Sequence, residues 1–343
     1  MMNQPLISVV ITAYNYGRFI EEAIDSVLSQ DYPSDHIEVV VADDGSTDDT
    51  AERVKHYDSR VKYVYQNNCG QASALNLGFA NARGEIVSLL DGDDFFLPGK
   101  LAMVADAFQR NPAAAMVYHP MQAWNMHTGE REMTQYPLVS ASLFQNPEKF
   151  YTYVGPGTCA SYQRKFLDRL LPIPEDIRML ADAYPGTLVV FVGPIFALPQ
   201  CLSVYRTHGS NSYQLVQSTV PKAARDKRLR QWQVLVECMH KWLKENSYTK
   251  NQMPVRYVTD GWDYFLKSEQ FALEAPGRLR YLRFVALENR LNRPLENWKL
   301  TAYNYLTLSF ALLLGYEKRQ QMYEWRGRML AFFQSLSRKL IRR

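Results

Sequence analysis

The apolar run Ile86-Val-Ser-Leu-Leu90 ends abruptly in Asp91-Gly92-Asp93-Asp94, and no other stretch restricts the fold so tightly. A buried strand that closes on three carboxylates must deliver them to a place where positive charge waits. Carboxylates this crowded do not all ionise cheaply unless a cation shares them. Hard divalent ions such as Mg2+ and Mn2+ suit such a cluster, because they prefer oxygen ligands and complete their shell with phosphate and water. The same residues also read as a polar turn that caps the next helix.

Three further segments bear on that choice. Leu6 to Asn15 is an apolar run that turns polar at Thr12, Tyr14 and Asn15. Ile37 to Asp48 repeats the pattern and closes on Asp43, Asp44 and Gly45, and a third block runs from Asn67 to Gly78. Between them, Phe19, Ile20, Ala23, Ile24, Val27 and Leu28 recur at helical spacing and predict a helix over 18–30. Ser46 and Asp49 occupy capping-box positions for a helix reaching Tyr57. Val61 to Tyr65 reads as a short strand, Gln71 to Ala82 as a helix, and Pro98 as the first residue of a helix reaching Gln109. Strands alternating with helices predict an α/β fold, a mostly parallel sheet with helices on both faces. In such sheets ligands bind outside the carboxyl ends of the strands, which is where each run here turns polar. From 115 to 215 the pattern is irregular, with a hairpin near His127 to Glu130 and a strand at Ser203 to Arg206. After that the chain reads as helices rich in Leu, Tyr, Trp, Arg and Lys. The expected division is a domain over 1–215 and a mainly helical C-terminal region over 216–343.

Four blocks, SVVITAYN, VVADDGSTDDT, NCGQASALNLG and LLDGDDFFLPGKL, resemble the family 2 glycosyltransferases in identity, order and spacing. The resemblance runs to about Tyr213 and implies a GT-A fold, Rossmann-like, with inverting, metal-dependent transfer from a nucleotide-diphosphate sugar. Carried onto this chain, it places Asp44 on the N3–H of a uracil base with Asp43 in support, and Thr12 and Tyr14 beside the base. Asn76, in the third block, joins the nucleotide set. Asp93 is implied to hold Mn2+ or Mg2+ directly, with Asp91 on the ribose or a metal-bound water, and Asp94 as a helix cap or support. Asp182, in Arg178-Met-Leu-Ala-Asp-Ala-Tyr184, occupies the place of the family's catalytic Asp. The usual preceding Glu is Ala181 here, a departure that leaves Asp182 as the sole carboxylate, with Asp176 and Glu175 as substitutes. Tyr205-Arg-Thr-His-Gly-Ser-Asn211 resembles the family's YRxHxxN, which makes His208 a metal or diphosphate ligand and Arg206 a counter-charge for phosphate. The implied acceptor is a hydroxyl on a glycan or lipid-linked molecule of cell-envelope or exopolysaccharide type.

Other classes fit less well. A nucleotidyltransferase opens with a Gly-rich loop and a basic residue, which Leu6 to Arg18 lacks before its last position. A dehydrogenase needs G-x-G-x-x-G after the first strand. The non-enzyme alternative, a nucleotide-sugar-binding protein that has lost catalysis, finds its one hint in Ala181. A net charge of +4 does not argue for nucleic acid. The first residues carry no secretory signal, no apolar stretch reaches the ~20 residues of a spanning helix, and four scattered cysteines fit a reducing cytosol. From Trp325 to Arg343, basic residues accompany an apolar face. That segment reads either as a helix at the inner membrane surface or as a packed terminal helix with a solvated basic side.

Overall fold

The computed structural model describes residues 4–133, 138–150, 157, 159–208, 211 and 222–274. In chain order the elements are β1 (Ile7–Ala13), α1 (Gly17–Leu28), β2 (Ile37–Asp43), α2 (Thr50–Lys55), β3 (Lys62–Tyr65), α3 (Gln71–Asn81), β4 (Ile86–Asp91), β5 (Phe95–Phe96), α4 (Lys100–Arg110) and β6 (Met116–Tyr118). They continue with β7 (Met121–Asn125), β8 (Arg131–Met133), β9 (Ser161–Gln163), α5 (Arg164–Leu167), α6 (Ala183–Val192), β10 (Ile195–Ala197), β11 (Ser203–Thr207), α7 (Lys222–Glu245) and α8 (Met253–Glu274). The segment from Trp325 to Arg343 lies outside the described residues.

A seven-stranded sheet runs β10-β6-β9-β4-β1-β2-β3. All its pairings are parallel except those of β9, which is antiparallel to both β4 and β6. A smaller sheet, β5-β11-β7-β8, stands beside it. The GT-A arrangement expected from the sequence is therefore present, with β9 as its one reversed strand.

The alternation of strand side chains explains the layers. Val9, Ile11, Val41, Ile86 and Leu90 pack against Ile20, Ile24 and Val27 of α1 and Leu101, Val104 and Phe108 of α4. Fully burying each such side chain contributes ~1.5–3 kcal/mol. On the opposite face α3 lies so close that a Cβ on Gly78 would come 2.3 Å from Val10 Cγ1.

Two helix starts differ from their sequence signals. The second helix begins at Thr50, not Ser46, and Asp48, two residues before it, takes its first N–H. Asp48 Oδ1 accepts from Thr50 N at 3.0 Å, and its Oδ2 accepts from Gly17 N at 2.9 Å. One carboxylate thus accepts from the first N–H of both α1 and α2. The fourth helix begins at Lys100, two residues after Pro98, because Gly99 adopts the left-handed conformation with φ 82°.

The chain forms a compact unit over Met1–Trp262 and a second over Asp263–Arg343. The first includes α7 and the start of α8. Within it Gln231 Oε1 accepts from Arg178 N at 3.1 Å, and Tyr248 Oη donates to the Phe191 carbonyl at 2.6 Å. Among the described residues no helix is long and apolar enough to cross a membrane.

Candidate active site

The site lies at the carboxyl edge of β1, β2 and β4, closed by the start of α6. At the β2 end Asp43 is fully buried. Its Oδ1 accepts from Ser46 N and its Oδ2 from the Tyr63 hydroxyl, both at 2.7 Å. Asp44 gathers the next loop: Gln66 Nε2 and Cys69 N donate to Oδ1 at 2.7 and 2.9 Å, and Gly70 N donates to Oδ2 at 2.8 Å. Asp44 N donates to the Ala13 carbonyl at 2.9 Å, which binds the β1 and β2 ends together. Tyr14 follows at the β1 end, 47% exposed. Asn76 lies elsewhere. Its amide is paired on both sides with the backbone of Ile173, at 2.8 and 2.9 Å, and so ties α3 to the 171–177 loop.

At the β4 end the three carboxylates converge. Asp91, Asp93 and Asp94 each offer an oxygen within 4.8 Å of the others. The turn is pressed onto β1, where Gly92 N donates to the Thr12 carbonyl at 2.8 Å and a Cβ on Gly92 would meet that oxygen at 2.9 Å. Thr12 Oγ1 donates to Asp91 Oδ1 at 3.1 Å. Asp93 Oδ2 takes His208 Nε2 at 3.0 Å and Asn211 Nδ2 at 3.2 Å. His208 lies against the Phe19 ring, with centroids 4.6 Å apart.

The electrostatics mark this cluster as strained by like charge. Burial, then the charges of Asp182 and Asp93, push the Asp91 carboxyl well above the usual carboxylate range. Burial and the charges of Asp93 and Asp91 do the same to Asp94. Tyr16 feels the same field: burial and Asp93 push its hydroxyl far above the ordinary value, and it hydrogen-bonds to Asp93.

Asp182 immediately precedes α6, and its charge is among the causes that raise the Asp91 carboxyl. Burial raises the Asp182 carboxyl, opposed by backbone N–H donors at the helix start. Its approach is fixed from two sides. Gln71 Oε1 accepts from Ala181 N at 2.9 Å, and Gly157 faces Asp182 so closely that a Cβ would lie 2.1 Å from Oδ2. Ala181 itself is fully buried, so a Glu in its place would put a carboxylate into the core.

Thr12, Asp91, Asp93 and His208 thus share one neighbourhood, with Asp182 acting on Asp91 by its charge and with Tyr14, Asp43 and Asp44 at the adjacent strand ends. Arg206 is 2% exposed, and its guanidinium turns inward to the acidic turn rather than outward to a phosphate. Tyr16, Gln71 and Lys100 were not singled out by their sequence context. Lys100 is fully buried, its Nζ 3.4 Å from the Phe96 ring centroid and without a hydrogen-bond partner among the described residues. Burial pulls its amine down to about 7, against the opposing charge of Asp94. The pattern P-G-K offered no signal for this, since a lysine at a helix start is ordinarily solvated.

Residues 8–171 match the sequence model of Glycosyl transferase family 2, and that part of the chain is of that family. An uncharacterized glycosyltransferase of Nostoc sp. is 35% identical over 216 residues, which are 60% of this chain and 66% of that relative. One from Rickettsia typhi is 42% identical over 97 residues, only 30% of its own length. Among solved structures, TarS of S. aureus superposes with a TM-score of 0.58 at 18% identity, over 90% of this chain and 92% of that one. The same protein is known in complex with UDP-GlcNAc, with a TM-score of 0.55 at 19% identity, over 89% of this chain and 91% of that one. A mannosyltransferase of Pyrobaculum calidifontis, in complex with GDP-Man and Mn2+, has a TM-score of 0.52 at 21% identity, over 91% and 88%. At these identities the structures establish the shared fold.

Proposed function

We propose that the chain is a metal-dependent inverting glycosyltransferase. It moves a hexosyl or N-acetylhexosaminyl group from a nucleotide-diphosphate sugar, UDP-linked, to a hydroxyl of a glycan or lipid-linked acceptor of the cell-envelope or exopolysaccharide type. The observation that carries this reading is the acidic turn at the end of β4, where Asp91, Asp93 and Asp94 converge within 4.8 Å of one another.

Tyr14 and Asp44 bind the base, Asp44 through lone pairs left over by its three N–H donors. Asp93, with Asp91 and His208 beside it, would hold Mn2+ or Mg2+. The fit rests on the donor set, hard oxygens within 4.8 Å of one another whose charge repulsion a cation relieves. When bound, the ion neutralises the diphosphate leaving group. Asp182 takes the proton of the acceptor hydroxyl as that oxygen bonds to the anomeric carbon. On the opposite face of the sugar the bond to the diphosphate oxygen breaks, and the nucleoside diphosphate leaves with its electron pair. A carboxyl raised by burial suits this task, because a base works best with a pKa nearer the operating pH. We place the enzyme in the cytoplasm, where its donor is made, with 325–343 as its contact to the inner membrane face.

Turnover of a panel of UDP-, GDP- and dTDP-sugars with Mn2+ tests this reading. The expected result is release of nucleoside diphosphate from one sugar nucleotide, dependent on the metal. A protein that neither binds nor turns over any of them would contradict it.

A further inference from the structure

The back of the acidic turn is held by a single residue of β11. Arg206 Nε donates to the Asp93 carbonyl, and Nη2 donates to the Asp94 carbonyl at 3.3 Å. Its backbone N–H donates to Asp94 Oδ1 at 2.8 Å. Two successive peptide units and one carboxylate of the turn are therefore fixed from behind.

The guanidinium is fixed in its turn. Nη1 pairs with Glu22 Oε2 at 2.5 Å. The rings of Phe19 and Phe95 lie against it, each centroid 5.0 Å from Cζ. Phe95 belongs to β5, which follows the turn directly and pairs antiparallel with β11. Glu22, on α1, reaches solvent, its side chain 54% exposed.

We propose that Arg206 is the positioning residue of the acidic turn, and that Glu22 is the outer clamp that sets its guanidinium. The inference rests on reading the turn as a cation site. Left to themselves, three carboxylates this close relieve their repulsion by splaying apart. Anchoring the carbonyls behind them keeps the oxygens converged before any cation arrives. The task needs a planar fork that reaches two carbonyls and a carboxylate at fixed angles, which a lysine ammonium does not provide.

The test uses the full chain with Arg206→Lys and Glu22→Gln. Mn2+ affinity is read by the EPR signal of free Mn2+ in the presence of UDP, and thermal unfolding is recorded in parallel. Outer partners of metal ligands typically govern ~10–100-fold in affinity, and Arg206→Lys should lose that much. Glu22→Gln should weaken Mn2+ binding by a smaller factor while unfolding at the wild-type temperature. If folded Arg206→Lys and Glu22→Gln bind Mn2+ as tightly as wild type, Arg206 is only structural and the inference falls. Should Arg206→Lys fail to fold, Glu22→Gln decides alone. A wild-type protein that binds no Mn2+ with UDP, GDP or dTDP removes the proposed function itself, an outcome distinct from equal binding in all three proteins.

Discussion

At the β2 end, Asp43 and Asp44 accept hydrogen bonds from Ser46 N, Tyr63 Oη, Gln66 Nε2, Cys69 N and Gly70 N. At the β4 end, two strands along the same edge, burial and mutual repulsion push Asp91 and Asp94 well above the usual range. Both ends bury paired aspartates at the close of an apolar strand. The first end has its N–H donors supplied by the fold, so it stands finished before a ligand arrives. The second has an excess of negative charge that the fold does not cancel. On the proposed function, the finished end takes the base and the unfinished one the cation, since only one of the two partners arrives with positive charge.

Breaking the chemistry should give the largest effect. Asp182→Asn keeps shape and one acceptor oxygen but takes no proton at neutral pH, so transfer should fall by ~10²–10⁴-fold with donor binding retained. Nearly full activity in steady-state assays moves the base elsewhere, and Asp176 is the first place to look. Retained anomeric configuration in the product contradicts inversion.

Next in size is the finished end. Asp44→Ala leaves the N–H groups of Cys69 and Gly70 without their acceptor, at ~1–3 kcal/mol for each one that stays buried. Chemical denaturation should show this loss with or without metal, together with weaker nucleotide binding. Unchanged stability would mean the loop does not depend on Asp44.

The smallest effect has the opposite sign. Burial, Asp182 and Asp93 raise the Asp91 carboxyl in the folded state. The stability tied to its protonated form is present below the unfolded pKa and lost as pH rises through the folded one. Asp91→Asn removes that loss and can keep the bond from Thr12. In EDTA the variant should melt above wild type at about pH 8, and the two should converge toward about pH 4. A variant that melts below wild type at both ends would contradict the picture of unbalanced charge.

Much of this was legible because apolar runs that turn polar at one end carry both strand and site. β1, β2 and β4, with Asp43, Asp44, Asp91 and Asp93, follow from that pattern alone. The irregular middle hid the rest. β9 inserts antiparallel between β4 and β6 as a three-residue strand, too short for periodicity to register. Ser46 carried the local cap signal, yet the Asp48 carboxylate accepts from the first N–H of two helices. Arg206 read as a phosphate partner because the resemblance of Tyr205–Asn211 to YRxHxxN implied it. Its true surroundings, Phe19, Glu22 and Phe95, come from elements more than a hundred residues upstream, and no local pattern reports such a contact.

The central claim, that the acidic turn is a cation site serving a bound nucleotide, is tested most directly by Mn2+-dependent thermal shift in the presence of UDP, wild type against Asp93→Ala. Arg206 bonds the Asp93 carbonyl rather than its side chain, so the turn keeps its anchor in the variant. Ligand at a hundred times its dissociation constant stabilises a protein by ~2.7 kcal/mol. Wild type should show a Mn2+-dependent rise of that order, and Asp93→Ala should show none. An equal rise in both proteins would contradict the account.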